Sequence, residues 1–226
     1  MISVSYLVTS YINNKTPQEA PPITTKPKKE LSPNVIIIKD HINAKTYKKF
    51  ISAYNKTNKK KDINIIIHSQ GGELMVITAI CDCILNHKGP GKIIGIIPFY
   101  AFSGGTEIAL CCDELLMSPY SLLSPCDVLI SVNKEVGYTS CPYIANVITE
   151  KETNNINLDE NWAIANIKAQ KYIDLSKKFI TKLCKIRNYD ENKIYEELFS
   201  GKYTHDTSFT TQQIIDMNLG LKITII

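Results

Sequence analysis

No stretch of this 226-residue chain approaches the roughly 20 consecutive apolar residues that a membrane span requires, so no transmembrane helix is expected. Met1 to Ile12 is mildly apolar, but Ser3, Ser5, Thr9 and Ser10 interrupt it and it has no basic leader, which argues against a secretory signal. A soluble, cytoplasmic protein is expected, with peripheral association with a membrane left open. An excess of one charge is also missing: 26 basic against 22 acidic residues leave a net charge of +4, carried mostly by lysines scattered among asparagines. The densest basic cluster, Lys59 to Lys61, has no aromatic platform beside it, so a nucleic-acid partner is not expected. Metal-ligand spacing is lacking as well. Cys81-x-Cys83 and Cys111-Cys112 form no C-x-x-C pair, and the odd total of seven cysteines, mostly within apolar segments, points to free thiols in a reducing compartment. The phosphate-loop pattern fails in two ways. Gly89-Pro-Gly91-Lys92 is followed by Ile93 where a serine or threonine belongs, and Ile94 stands where the dinucleotide fingerprint needs its third glycine. Neither a metal nor another cofactor is implied, and no internal repeat is found.

Five prolines between Asn13 and Pro33 mark an extended, flexible segment over residues 1–33 that cannot bury apolar surface, so a single folded domain is expected over residues 34–226. Strands are expected at Val35 to Ile38, Ile63 to His68, Lys92 to Pro98 and Glu114 to Met117. Helical stretches fall between them at Asn43 to Tyr54, Gly72 to Asn86 and Ser103 to Cys112. This alternation predicts an α/β fold with a largely parallel sheet. After Ser118 the pattern reads as irregular, with Pro119, Pro125 and Pro142, until a long amphipathic stretch from Asp159 to Arg187. Its apolar stripe, which includes Trp162, Ala165, Ala169 and Leu183, suits a core or an oligomer contact. Short helices are expected at Tyr189 to Phe199 and Thr210 to Met217, and a closing strand at Leu221 to Ile225.

What is abundant is glycine in one place: seven of the ten glycines fall between Gly71 and Gly105. Pro98-Phe-Tyr-Ala-Phe-Ser103-Gly-Gly-Thr106 sets a serine between a strand and a helix, and His68-Ser-Gln-Gly71-Gly72 ends the preceding strand in the same manner. Two such turns can offer backbone N–H groups to one substrate oxygen, with Gly104 and either Gly71 or Gly72 as donors. Ser103 is therefore a candidate acyl-transfer nucleophile, weighed evenly against a plain helix N-cap. A serine nucleophile needs a base, and three candidates stand: Lys151, His205 with Asp206, and His68.

These motifs resemble those of the serine dehydrogenase proteinase family, which is related to signal peptide peptidases and to the proteolytic subunit of Clp protease. The likeness rests on the two diglycine turns, on Ile108-Ala-Leu and Asp113-Glu114, on Ser124-Pro-Cys-Asp127, and on Ser200-Gly-Lys-Tyr-Thr-His-Asp206. The resemblance implies a ClpP/crotonase-like superhelix of strand-strand-helix units, commonly a homo-oligomer, acting on peptide or protein substrates. It matches Ser103 to the nucleophile, Gly104 and the Gly71-Gly72 turn to the oxyanion donors, and Lys151 to the base of the related signal peptide peptidases. Phe99, Gln70 and Ser124 depart from the family's histidine, proline and glycine. Cys126 falls near the position where Clp-type relatives carry their histidine, so a triad of that type is not expected and Asp127 is left to orient some other group. Two rival readings are a catalytically inactive binding or assembly module and an enzyme acting on coenzyme A thioesters.

Overall fold

A computed structural model describes residues 34–154 and 159–226; the proline-rich stretch over residues 1–33 lies outside the described residues. Isoleucine builds the first strands. β1 (Val35–Ile42), β2 (Ile63–Gly72) and β3 (Ile93–Ile97) bury Ile36, Ile38, Ile65, Ile67, Ile93 and Ile97 almost completely. Branching at Cβ suits extended backbone, and each such burial stabilises by about 1.5–3 kcal/mol relative to exposure. Between these strands run α1 (Ala44–Lys56) and α2 (Leu74–Leu85). Asn43 and Thr46 form a capping box at the start of α1. β4 (Tyr100–Ala101), α3 (Gly104–Leu110), β5 (Glu114–Met117) and β6 (Leu122–Leu123) follow.

The region expected to be irregular between Ser118 and Asp159 is more ordered than its prolines suggest. It holds an antiparallel hairpin, β7 (Leu129–Ser131) with β8 (Tyr138–Ser140), and a 13-residue helix, α4 (Cys141–Thr153). Pro142 lies in the first turn of α4, where a missing N–H costs nothing, and the Ser140 hydroxyl accepts from the Tyr143 N–H. The long amphipathic stretch is one helix, α5 (Glu160–Arg187), followed by α6 (Glu191–Leu198), β9 (Phe209–Thr210), α7 (Thr211–Asp216) and β10 (Ile223–Ile225).

β2 organises the sheet. It pairs with β1 over nearly all its length, while its other edge meets β3 at Ile63 to Ile66 and β4 at Ser69. The strand thereby carries one curled sheet from β10, β5 and β3 into β4, β6 and β9. Every pairing in that sheet is parallel except β6 with β9. This is the α/β, ClpP-like architecture that the resemblance implied. The α5 stripe divides between two cores: Ile180, Leu183 and Cys184 join the main one. Ala165 and Ala169 pack with Cys141, Ile144 and Ile148 in a smaller one beneath the hairpin, flanked by Trp162, Tyr172 and Ile173. Among the described residues no helix is long and apolar enough to cross a membrane.

Candidate functional site

β4 and α3 meet at Ser103, whose φ of 50° and ψ of −121° are rare for a residue with a side chain. Such backbone costs on the order of 1–3 kcal/mol and persists only where its surroundings enforce it. They do so here through named bonds. The Ser103 N–H donates to Ser124 Oγ at 2.7 Å, and the flanking Phe102 N–H donates to Ser69 O at 2.8 Å. Thr106, fully buried on α3, donates to Ala101 O at 2.6 Å and accepts from the Ser124 N–H at 3.0 Å, which locks the turn to the chain that follows β6. Ser103 occupies the N-cap position, yet its side chain makes no capping hydrogen bond. The bland alternative, a serine serving as a helix cap, is not what this hydroxyl does.

The diglycine turn lies against this elbow. Gly71 has φ of +97°, and a Cβ added there would sit 2.9 Å from Ser103 Cβ and 3.0 Å from Gly104 N. The Gly104 amide, at the first position of α3, has no intrahelical acceptor, and its nitrogen lies beside Gly71. The Gly71 N–H donates to Ser69 Oγ at 3.1 Å. Gly72 closes β2 in register with Ile42, so the strand runs through the diglycine and α2 begins two residues later than Gly72, the start expected for that helix.

A cavity of about 200 Å³ opens at Ser103, lined by Gln70, Phe102, Ser103, Ser124, His205 and Asp206. His205 Nδ1 stands 3.0 Å from Asp127 Oδ1, and the Asp127 side chain is wholly buried, its Oδ2 without a hydrogen-bond partner among the described residues. The loop that carries Asp127 is tied to the end of α6, from which the His205 loop departs, because the Cys126 N–H donates to Leu198 O at 2.7 Å. Beyond it, the His205 loop is braced by Lys202 and Tyr203, both bonded to Glu197.

Of the residues singled out from sequence, Ser103, His205 and Asp206 share one cavity with the glycine turns beside it, and Asp127 lies behind the histidine. Lys151 stands elsewhere, on α4, with Nζ 5.9 Å from the Trp162 ring centre. His68 packs edge-on against Tyr100 at 4.4 Å. Sequence reasoning paired His205 with its neighbour Asp206, whereas the carboxylate bonded to it comes from Asp127. It also overlooked Ser124, whose hydroxyl stands where the family carries glycine; that departure was the available signal. All seven cysteines are free, and burial pushes up the thiols of Cys81, Cys112 and Cys126, which leaves them protonated and unreactive. One turn past Ser103, burial raises Glu107 to about 7. Among the described residues no group of three His, Cys, Asp or Glu side chains could hold a metal ion.

A family model described as the ClpP-like SDH-type serine proteinase matches residues 28–225. The chain belongs to this family. Two relatives from Methanocaldococcus jannaschii, named uncharacterized protein MJ0137 and uncharacterized protein MJ1495, are 30% and 28% identical over 76% and 75% of the chain. The chain spans 57% and 55% of their lengths, little more than half. Solved structures of a 1510-N membrane-bound stomatin-specific protease share the fold. A serine-to-alanine mutant aligns with a TM-score of 0.56 at 17% identity, covering 84% of this chain and 78% of that one. A lysine-to-alanine mutant in complex with a substrate peptide gives 0.55 at 18%, covering 84% and 74%.

Proposed function

We propose that this member of the family is a serine peptidase in which Ser103 attacks the substrate carbonyl and His205, oriented by Asp127, takes its proton. The carrying observation is that Ser103 and His205 line one cavity while a buried carboxylate holds the far side of the imidazole. With the carboxylate as acceptor, His205 Nδ1 carries the hydrogen, which leaves Nε2 as the ring's acceptor. The bond from Oγ to the carbonyl carbon forms as the proton passes to Nε2. The imidazolium then protonates the leaving amine, and water repeats the sequence on the acyl-enzyme. The Gly104 amide and the Gly71-Gly72 turn supply the donors for the tetrahedral oxygen, each worth about 2.7–4 kcal/mol in such sites, with the Gly71 N–H exchanging Ser69 Oγ for that oxygen.

A fluorophosphonate probe tests this directly: it should label the wild type and leave Ser103→Ala unlabelled. His205→Ala should slow labelling at least about a hundredfold, and Asp127→Asn should do the same, since it stabilises the wrong tautomer. The base implied by resemblance, Lys151, is the second reading. If Lys151→Ala loses as much as Ser103→Ala while His205→Ala keeps its rate, the proton acceptor is the lysine. Absence of labelling at every pH would favour the inactive binding module.

Peptides are the substrate class in keeping with the family, and the solved neighbour in complex with a substrate peptide supports it. We extend the reading to a homo-oligomer, because Ile164, Ile167 and Leu175 are exposed along one stripe of α5. Light scattering should give a mass above the 25.4 kDa of one chain. Ile167→Glu should lower it.

A further inference from the structure

The geometry points to a second binding site beside the Ser103 cavity: a basic groove that takes an acidic segment of the polypeptide substrate, on one side of the scissile bond. Its use in catalysis rests on the peptidase reading above, and its binding chemistry does not. The groove has a volume of about 1310 Å³ and is lined by Lys39, Lys45, Lys49 and His41, with Phe99 and Tyr120 as its most exposed aromatic walls. His68 also borders it.

Two local features gather these cations. The β1–β2 register sets Lys39 opposite His68 and then shifts at Asp40, whose φ is 61°, so alternation breaks and Lys39, Asp40 and His41 are all exposed. On α1, Lys45 and Lys49 are four apart and both exposed, which stacks them on one helix face. Among the described residues the single carboxylate in the wall belongs to Asp40. Ion pairs among the described residues involve Lys92, Lys182, Arg187, Lys202 and His205, and none of the three groove lysines. Like charges converging on a concave surface repel one another, and an anionic occupant relieves that repulsion.

The occupant we assign is a peptide because β2 and a run of aromatic contacts relate the groove to the serine cavity. His68 in the groove and Gln70 in the cavity are two residues apart on β2. Phe99 in the groove and Phe102 in the cavity are joined through Tyr100, which lies 5.1 Å from the first ring and stacks on the second at 4.8 Å. Lys39 pairs with His68, three residues before the Gly71 that abuts Ser103, so at about 3.3 Å per residue an acidic side chain on the order of three positions from the scissile bond reaches the near end of the groove. A phosphate backbone or a lipid surface carries the same charge, but a groove set beside the serine cavity along β2 and the Phe99–Tyr100–Phe102 contacts suits one extended polypeptide.

The test measures binding on full-chain Ser103→Ala, so that nothing is cleaved. Fluorescein-labelled ten-residue peptides that differ only in flanking Glu or Gln are followed by anisotropy. The Glu peptide should bind about tenfold tighter at low salt, with the gap narrowing as salt rises. The triple reversal Lys39→Glu, Lys45→Glu, Lys49→Glu should erase the gap while its thermal midpoint confirms folding. Equal affinity for the Glu and Gln peptides overturns the proposal. So does a triple variant that keeps the preference, or tighter binding of an equally charged oligonucleotide or of phosphatidylserine vesicles that the same reversal abolishes. Fluorophosphonate labelling of the wild type reads the serine separately: a preference without labelling would sink the peptidase reading and leave the groove standing.

Discussion

Among the bonds that hold Ser103 in its unfavourable backbone region, the one made directly to its N–H comes from the Ser124 hydroxyl, which accepts at 2.7 Å. Ser124→Ala removes the acceptor and leaves a partly buried amide unpaired. Urea unfolding should show a loss of about 1–2 kcal/mol, and fluorophosphonate labelling should slow about tenfold as the elbow relaxes. Gly71→Ala acts at the same place from the other side: its Cβ meets Ser103 Cβ at 2.9 Å with a φ that side chains avoid. Labelling should fall by about a hundredfold, a larger loss than for Ser124→Ala, because the added atom also crowds the Gly104 amide. Glu107 gives a pH signature. Its carboxyl is raised by burial from the ordinary 4.5 to about 7, so between those values the folded protein binds more protons than the unfolded chain. Stability from this group is complete below pH 4.5 and is lost as pH rises through 7, by about 3 kcal/mol in all. Glu107→Gln should flatten that part of the melting-temperature profile; an unchanged slope would show that the carboxylate is solvated.

Among the elements, the strands and the long helix were readable because isoleucine runs and a helical stripe are local patterns. α4 was not, because Pro142 reads as a breaker unless its place in the first turn is known, and that depends on where Ser140 leaves β8. β2 likewise outran its expected end at His68: the diglycine looks like a helix start, yet pairing with β1 continues to Gly72. The C-terminal end of α5 is anchored by Arg187, which donates to Cys111 O at 2.8 Å and to Asp113 at 2.8 Å while its side chain is only 12% exposed. Asp113 in turn accepts the Ile93 N–H at the start of β3. Arg187→Met should cost about 2–3 kcal/mol in denaturant unfolding, and Arg187→Lys should restore less than half, since an ammonium cannot fork between two acceptors.

For the whole molecule, the sequence alone determined the α/β class, the order of most elements and the serine between its two glycine turns. Each of these is written in short-range spacing that nearest neighbours along the chain enforce. Tertiary structure decided which histidine and which carboxylate meet. His205 bonds Asp127 across 78 residues, though Asp206 adjoins it in sequence, because the loop after α6 folds back on the loop after β6 and presents only one of the two carboxylates to Nδ1. It also decided that Lys39, Lys45 and Lys49 share a groove, since a shift in strand register and the docking of α1 bring them together. A charge count sees only scattered lysines; convergence arises when separate elements pack, and spacing along the chain does not encode that packing.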